Sequence, residues 1–390
     1  MELTQLTAIS PVDGRYRSQT ASLSAYFSEF ALIKYRVHVE VEYFIFLSEK
    51  KFFKLPKATV TLLRERVEAF SIQDAEAIKT IEKTTNHDVK AVEYFLKNIL
   101  KDAKAEGITE WIHFGLTSQD INNTAIPLSI KDFMEQTYLP AIINIKHQIA
   151  NQAKQFKNVT ILARTHGQPA SPTTFGKEMK VYEARLEKQI KNLQNIKIQA
   201  KLNGASGNWN AHLAAYPKIN WMKFTKDFIN GLNKNRTQKL EANLITTQIE
   251  CHDSYVAVFD TVRRINTILL DFNQDMWRYI SDNWIIQTPK KGEVGSSTMP
   301  HKINPIDFEN SEGNLGLANA LFEFFARKLP ISRLQRDLSD STVERAFGTA
   351  FGHSYLAYTS LLKGLSKISV NENKIKEDLL AHPEVIAEAI

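Results

Sequence analysis

The sequence predicts a mainly α-helical fold built around an elongated long-helix bundle. Three observations lead there. Apolar residues recur three or four apart through segments far longer than an ordinary helix, and strand-like alternation is scarce. Glycine and proline are also few, at 15 and 12 of 390 residues, where turn-rich β architectures need many. The overall composition, 43% hydrophobic and 24% charged, is that of an ordinary globular chain, and its length allows two or three domains.

Taken in order, residues 23–49 read as a helix, with Phe27, Phe30, Leu32, Tyr35, Val39, Tyr43 and Leu47 on its apolar side. Shorter helical patterns follow over 59–70, 74–81 and 88–101, the last burying Val89, Val92, Phe95, Leu96 and Ile99. Three long patterns then dominate. The first covers 118–156, where Pro127 and Pro140 are expected to kink the helix without ending it, because the periodicity continues on both sides. The second covers 173–202. The third covers 243–283 and places Tyr255, Phe259, Val262, Ile265, Leu269, Phe272, Met276 and Tyr279 along one seam. Helices are also expected near 307–327 and 341–365, and a short hairpin over 197–209, where Gly204 and Gly207 punctuate the chain. A helix of some 40 residues spans about 60 Å. One chain of this size cannot surround several of them, so the remaining apolar faces point to oligomerisation; an extended monomeric hairpin of helices is the plainer alternative.

Charge and cysteine content narrow the function. The formal net charge of +6, from 49 basic and 43 acidic residues, is mild and suits small anionic substrates. No Lys/Arg-rich block or aromatic-interleaved basic stripe supports nucleic-acid binding. The single cysteine, Cys251, excludes an intramolecular disulfide framework and a cysteine-based zinc cluster, and fits a reducing, cytoplasmic setting, as it would also fit a secreted protein without disulfides. In its apolar-rich surroundings Cys251 reads as packing more readily than as a nucleophile. No membrane span is expected, nor a signal peptide over Met1–Ser10.

Three polar loops at the ends of the long helical patterns carry the chemistry. In Gly115-Leu116-Thr117-Ser118-Gln119-Asp120, the hydroxyl of Ser118 is suited to capping the following helix, and hydroxyls with free amides at a helix start also make an anion site. In Arg164-Thr165-His166-Gly167-Gln168-Pro169, His166 lies in a turn before a helix, and an imidazole can protonate a leaving amine. The third loop, Gly295-Ser296-Ser297-Thr298-Met299-Pro300-His301-Lys302-Ile303-Asn304-Pro305, is too specific for a glycine-serine linker and reads as a mobile catalytic loop. Ser296 becomes basic only with its alkoxide stabilised by amides or cations, and Lys302 and Asn304 are placed to hold a carboxylate as its charge grows. Asn86, His87 and Asp88 precede the helix over 88–101, at the end where backbone N–H groups point outward. Arg15, Tyr16, Arg336, Ser341 and Arg345 complete the list. Arginine's planar fork suits phosphate, while the simpler alternative is surface pairing with Asp337, Asp340 and Glu344. No histidine spacing of the HExxH kind appears, so no metal is expected.

The three loops, in this order, resemble the three signature regions of the fumarase/aspartase superfamily. Ser10–Tyr16, Thr84–Val89, Thr246–Glu250 and Ser332–Arg345 are further similar to the bacterial-type adenylosuccinate lyases. The resemblance covers nearly the whole chain. It implies β-elimination of fumarate from adenylosuccinate, giving AMP, and from succinyl-aminoimidazole carboxamide ribonucleotide, giving AICAR, with no cofactor. It further implies Ser296 as general base and His166 as general acid. His87, with Asn86, Asp88 and Thr165 around the reacting groups, would orient the substrate. Thr117, Ser118, Lys302 and Asn304 would bind succinyl carboxylates, Gln248 would sit near the reacting centre, and Arg15, Tyr16, Arg336, Ser341 and Arg345 would form the phosphate pocket. The resemblance also implies a homotetramer whose sites each draw on three subunits through a shared central bundle. The expected division is an N-terminal helical domain over 1–114, the central bundle over 115–366, and the start of a C-terminal helical domain over 367–390, which relatives usually extend. Gln119 stands where many relatives carry Glu. Two rival readings are another lyase of the superfamily, such as argininosuccinate lyase, and a non-catalytic helical scaffold.

Overall fold

A computed structural model describes residues 1–237, 239–288, 299 and 302–390. Two single-turn helices, α1 (Arg17–Thr20) and α2 (Ser24–Phe27), lead into α3 (Glu29–Glu49), which is capped by the Ser28 hydroxyl accepting from Ala31 N–H at 3.1 Å. Helices α4 (Lys57–Glu68), α5 (Ile72–Thr85) and α6 (Asp88–Asp102) pack on α3 around an apolar cluster that includes Ile33, Val37, Phe44, Leu63, Ile78, Phe95 and Leu96. Next come α7 (Ser118–Phe133), a wide π-turn at Met134–Tyr138, and α8 (Leu139–Gln155). The helical path therefore runs through both prolines: Pro127 lies inside α7, and the wider turn just before Pro140 accommodates its missing N–H.

Strands β1 (Thr160–Thr165) and β2 (Gln168–Thr174) form an antiparallel hairpin before α9 (Phe175–Asn195). The helix expected over 173–202 stops at Asn195. Residues 198–200 form β3 (Ile198–Ala200), which pairs in parallel with β4 (Leu240–Ala242), Ile198 opposite Leu240. That pairing replaces the hairpin expected over 197–209. Helices α10 (Asn210–Ala215) and α11 (Trp221–Leu232), not read from the sequence, lie between the two strands; α11 buries Trp221, Phe224, Phe228 and Leu232.

The helix expected from residue 243 begins only at Asp253, as α12 (Asp253–Ser281). The intervening backbone is held by other segments and not by its own turns. Asn243 N–H donates to Ala200 O (2.8 Å), Gln248 N–H to Gln335 O (3.3 Å) and Glu250 N–H to Asn123 Oδ1 (2.8 Å). After α12 come β5 (Ile285–Gln287), α13 (Ile306–Lys328), α14 (Ser339–Glu344), α15 (Phe347–Leu365), β6 (Ile368–Val370, antiparallel to β5) and α16 (Glu372–Leu380). The single helix expected over 341–365 is thus two, divided at Arg345-Ala346.

The long helices form an antiparallel bundle. Phe259 stacks on Phe322 and Asn273 donates to Ser311, setting α12 against α13; Asn314 meets His353 and Asn310 meets Ser360, setting α13 against α15. Lys146–Glu187 joins α8 to α9, Tyr182 reaches Asp275 on α12, and the Tyr138 and Tyr358 hydroxyls meet at 2.8 Å. The seam read from the sequence is buried from Tyr255 to Met276. Each fully buried Leu, Ile or Phe side chain there stabilises the fold by roughly 1.5–3 kcal/mol.

Candidate active site

At the N-terminal end of α12, four segments converge. The first is the α5–α6 junction. Asn86 takes the left-handed conformation (φ 50°) that ends α5, and His87 caps α6 by accepting Lys90 N–H at Nδ1 (3.1 Å). Because Nδ1 accepts, Nε2 carries the imidazole proton, and it points toward Ser118 Oγ at 3.4 Å. Asp88 accepts Val89 N–H at 2.9 Å and Arg36 Nη2 at 2.8 Å, and Arg345 Nη2 lies 3.6 Å away. Burial acts to raise the Asp88 pKa, but the neighbouring arginines and the backbone donor outweigh it and hold the carboxyl below its usual value.

The second segment opens α7. Thr117, and not Ser118, occupies the capping position, so the capping role expected of Ser118 is corrected; Ser118 is the first helical residue, with its hydroxyl facing His87. Thr117 N–H donates to Asp120 Oδ2 at 2.8 Å. Asp120 is fully buried and also accepts Lys201 Nζ (2.7 Å), Asn203 N–H (2.9 Å) and Gly204 N–H (3.1 Å). The turn at Asn203–Ala205 is thereby tied to the Ser118 loop, and it presents the Ala205 carbonyl to Gln248 Nε2 at 3.1 Å.

The third and fourth segments are residues 246–250 and 332–345. Arg336 donates to Gln248 Oε1 (3.3 Å) and Ser341 Oγ (3.5 Å), and Arg345 donates to the Ser341 carbonyl (2.9 Å). The plain pairing alternative for these arginines does not hold among the described residues. Asp337 is taken by Arg333 and Ser339, and Arg345 instead faces Glu29 (3.9 Å) and Asp88. Cys251, adjoining this group, is exposed, so the packing role expected of it is corrected; its thiol is pushed up to about 12 by partial burial and by the Glu250 and Asp253 carboxylates.

The remaining predicted residues lie elsewhere in the chain. His166 and Gly167 form the two-residue tip of the β1–β2 hairpin, both with positive φ (55° and 76°), the backbone twist that antiparallel hairpins favour. His166 therefore lies at a hairpin tip and not in a turn leading directly into a helix, as expected from sequence. Pro169 and Pro172 in β2 masked the strand signal. Thr165, His166 and Gly167 are exposed, and Arg164 Nη1 braces the tip through the Gly167 carbonyl (3.2 Å). Lys302 is exposed and Asn304 half-buried, just before α13; Gln287 Nε2 holds the Ile303 carbonyl there at 3.0 Å. Ser296 lies outside the described residues. Tyr16 Oη accepts from Asn310 Nδ2 at 3.3 Å, and Arg15 lies over the Tyr16 ring. Asn310 was not singled out from the sequence; its placement one turn into the helix after the Lys302–Asn304 loop was the signal that would have found it.

These groups are far apart within one chain. Gln248 and Glu344 flank the start of α12, beside His252, whereas the hairpin adjoins Tyr279 and Trp284 at its end, around an open cleft also lined by Asp275, Arg278 and Asp282. The 29 residues of α12 span about 42 Å. The chain brings together Asn86, His87, Asp88, Thr117, Ser118, Gln248, Arg336, Ser341 and Arg345. It does not bring Thr165, His166, Lys302 or Asn304 to them. Among the described residues, no cluster of His, Cys, Asp or Glu could hold a metal ion, and no helix is long and apolar enough to cross a membrane.

Comparison with known proteins places the chain. A family model described as "Lyase" matches residues 14–319, and one described as "Adenylosuccinate lyase C-terminal" matches 332–390. Adenylosuccinate lyase of Dictyostelium discoideum is 52% identical over 400 residues, covering 100% of this chain and 85% of the relative. That of Escherichia coli K12 is 48% identical over 395 residues, with the same coverage. Among solved structures, the fold matches β-carboxy-cis,cis-muconate cycloisomerase of Acinetobacter calcoaceticus (TM-score 0.74, 18% identity, 95% of this chain and 81% of that one). It also matches a fumarate lyase of Mesorhizobium (TM-score 0.72, 16% identity, 92% and 78%). Likeness of this depth along every residue, joined to a helical bundle whose polar loops sit at its ends, makes the chain a member of the adenylosuccinate lyases within the fumarase/aspartase superfamily.

Proposed function

We propose that the chain eliminates fumarate from adenylosuccinate, releasing AMP, and from succinyl-aminoimidazole carboxamide ribonucleotide, releasing AICAR. In this reading the Ser296 alkoxide takes the proton on the succinyl carbon β to the nitrogen. The C–H electron pair becomes the new C=C bond, the C–N pair departs with nitrogen, and His166 supplies the proton that nitrogen needs. Negative charge builds on the carboxylate beside the deprotonated carbon, where Lys302 and Asn304 from the same loop, with Thr117 and Ser118, would hold it. His87 would donate to the substrate from Nε2, the nitrogen left free by its capping bond. Asn86, Asp88 and Thr165 would line the same surface, with Gln248 near the reacting centre.

The phosphate is assigned to Arg336, Ser341 and Arg345, with Arg15 and Tyr16 arriving from elsewhere. The observation that carries the reading is the meeting of Arg336 with both Gln248 and Ser341 while Arg345 stays exposed and free of the nearby Asp337, Asp340 and Glu344. Two arginines beside an imidazole and two hydroxyls suit a nucleotide monophosphate, with the exposed Arg345 fork exchanging its long contacts to Glu29 and Asp88 for the phosphate. The long separation between this cluster and His166 favours a homotetramer in which neighbouring subunits complete each site. Residues 1–114, 115–366 and 367–390 are assigned as its N-terminal, central and C-terminal domains, and the cytoplasm as its location. Purified protein mixed with adenylosuccinate is expected to release fumarate and AMP. Ser296→Ala and His166→Ala should each cut turnover by about 10²-fold or more while leaving the fold intact. Full activity in either variant removes the role given to that residue.

A further inference from the structure

Helix α14 has two working faces. Ser341 and Arg345 look outward, and Asp340 and Glu344, one residue earlier in each case, look inward and are buried. Beneath them lies His252, fully buried at the start of α12 in the left-handed conformation (φ 64°), with its N–H fixed by Glu250 Oε2 at 2.7 Å. His252 Nε2 stands 3.4 Å from Glu344 Oε1, and its ring packs on Tyr255. The surroundings are rich in charge: Glu250 from its own loop, Asp340 and Glu344 from α14, and Arg336 from the segment before α14. Beyond that His252–Glu344 contact, His252 Nδ1, Tyr255 Oη, Arg336 Nε and Asp340 Oδ2 are buried without a hydrogen bond. A purely structural polar residue would be satisfied by its neighbours. An imidazole set among three carboxylates and a single arginine acts through its charge.

We propose that His252 is a positioning residue for the substrate phosphate: as a buried cation it draws Glu344 and Asp340 inward and so sets Ser341 and Arg345 on the outer face of the same helix. This rests on the phosphate reading of Arg336, Ser341 and Arg345. The proton matters because neutral His252 leaves three carboxylates against Arg336 directly behind a surface that receives a dianion, whereas protonated His252 offsets part of that field. Burial opposes the charged imidazole, but Glu344, Glu250 and Asp340 overcome it and raise its pKa above the ordinary value. The grip is therefore present at lower pH and is lost as pH rises through that raised value.

The test is AMP binding by titration calorimetry between about pH 7 and 9, where the phosphate is already dianionic. Wild type should lose affinity, on the order of five-fold, as pH rises through the raised His252 value. His252→Asn, which keeps a polar side chain without the titration, should bind weakly throughout with a flat profile. Glu344→Gln, which removes the acid that holds the proton, should move the loss to lower pH. Arg345→Met serves as control. If Arg345→Met loses AMP while His252→Asn keeps the wild-type affinity and pH profile, the proposal is overturned and the phosphate reading stands. If Arg345→Met binds AMP like wild type, the phosphate reading itself fails, and this proposal with it. Should His252→Asn not fold, Glu344→Gln decides alone: an unshifted profile overturns the proposal.

Discussion

The Lys201 ammonium lies 2.7 Å from the Asp120 carboxylate, and both side chains are completely buried. Burial lowers the Lys201 pKa, and the contact with Asp120 opposes that fall. Around it Asp120 gathers the N–H groups of Thr117, Asn203 and Gly204, while Lys201 also donates to the Gly204 carbonyl at 2.6 Å.

Removing one partner leaves the other uncompensated. Lys201→Met is expected to cost about 3–5 kcal/mol of folding stability and to disorder the Thr117–Ser118 loop. Urea unfolding checks the first effect. A loss below about 1 kcal/mol would mean that the pair is not the brace described.

Gly207 is the second fixed point. Its φ is +82°, and a Cβ there would stand 2.1 Å from the Thr246 carbonyl oxygen, which is backbone and cannot swing away. Gly207→Ala must displace the Thr246–Gln248 segment. We expect a loss of at least about 2 kcal/mol in stability together with a raised KM for adenylosuccinate. A variant with wild-type melting temperature and KM contradicts the placement.

His113 supplies a pH test of the N-terminal helices. Its Nδ1 is 2.5 Å from Glu40 Oε1 and its Nε2 3.8 Å from Glu93. Burial pushes its pKa down, but Glu40 and Glu93 prevail and raise it above 6.5. The folded state thus binds this proton more tightly than the unfolded chain does. The stability gained is complete below about pH 6.5 and is lost as pH rises through the raised value. Unfolding free energies at about pH 6 and about pH 8.5 should differ less in His113→Gln than in wild type. Equal differences refute the pairing.

What could be read from the sequence follows a physical division. Periodic apolar seams announce themselves, so the Tyr255–Met276 stripe and the passage of the chain through Pro127 and Pro140 were legible. Segments whose backbone groups are satisfied by distant partners were not. Residues 243–252 carry apolar residues at helical spacing, yet bond to Ala200, Gln335 and Asn123, which no local pattern reveals. The hairpin under His166 was hidden because two prolines stand in a strand, where the period-two signal fails. The polar loops were visible as chemistry out of place. The meeting of Arg336 with Gln248, 88 residues apart, needed the fold, as did the buried His252 behind it.

His87 and His166 of one chain lie at opposite ends of α12, and the proposed function therefore requires residues of different subunits to complete each catalytic site. Subunit complementation tests it most directly. His87→Ala and His166→Ala, each expected to be nearly inactive alone, are mixed, partly unfolded together and returned to native conditions. Fumarate release should reappear, since some sites in mixed oligomers receive both intact histidines. Mixed oligomers that form but stay as inactive as either parent would contradict the account.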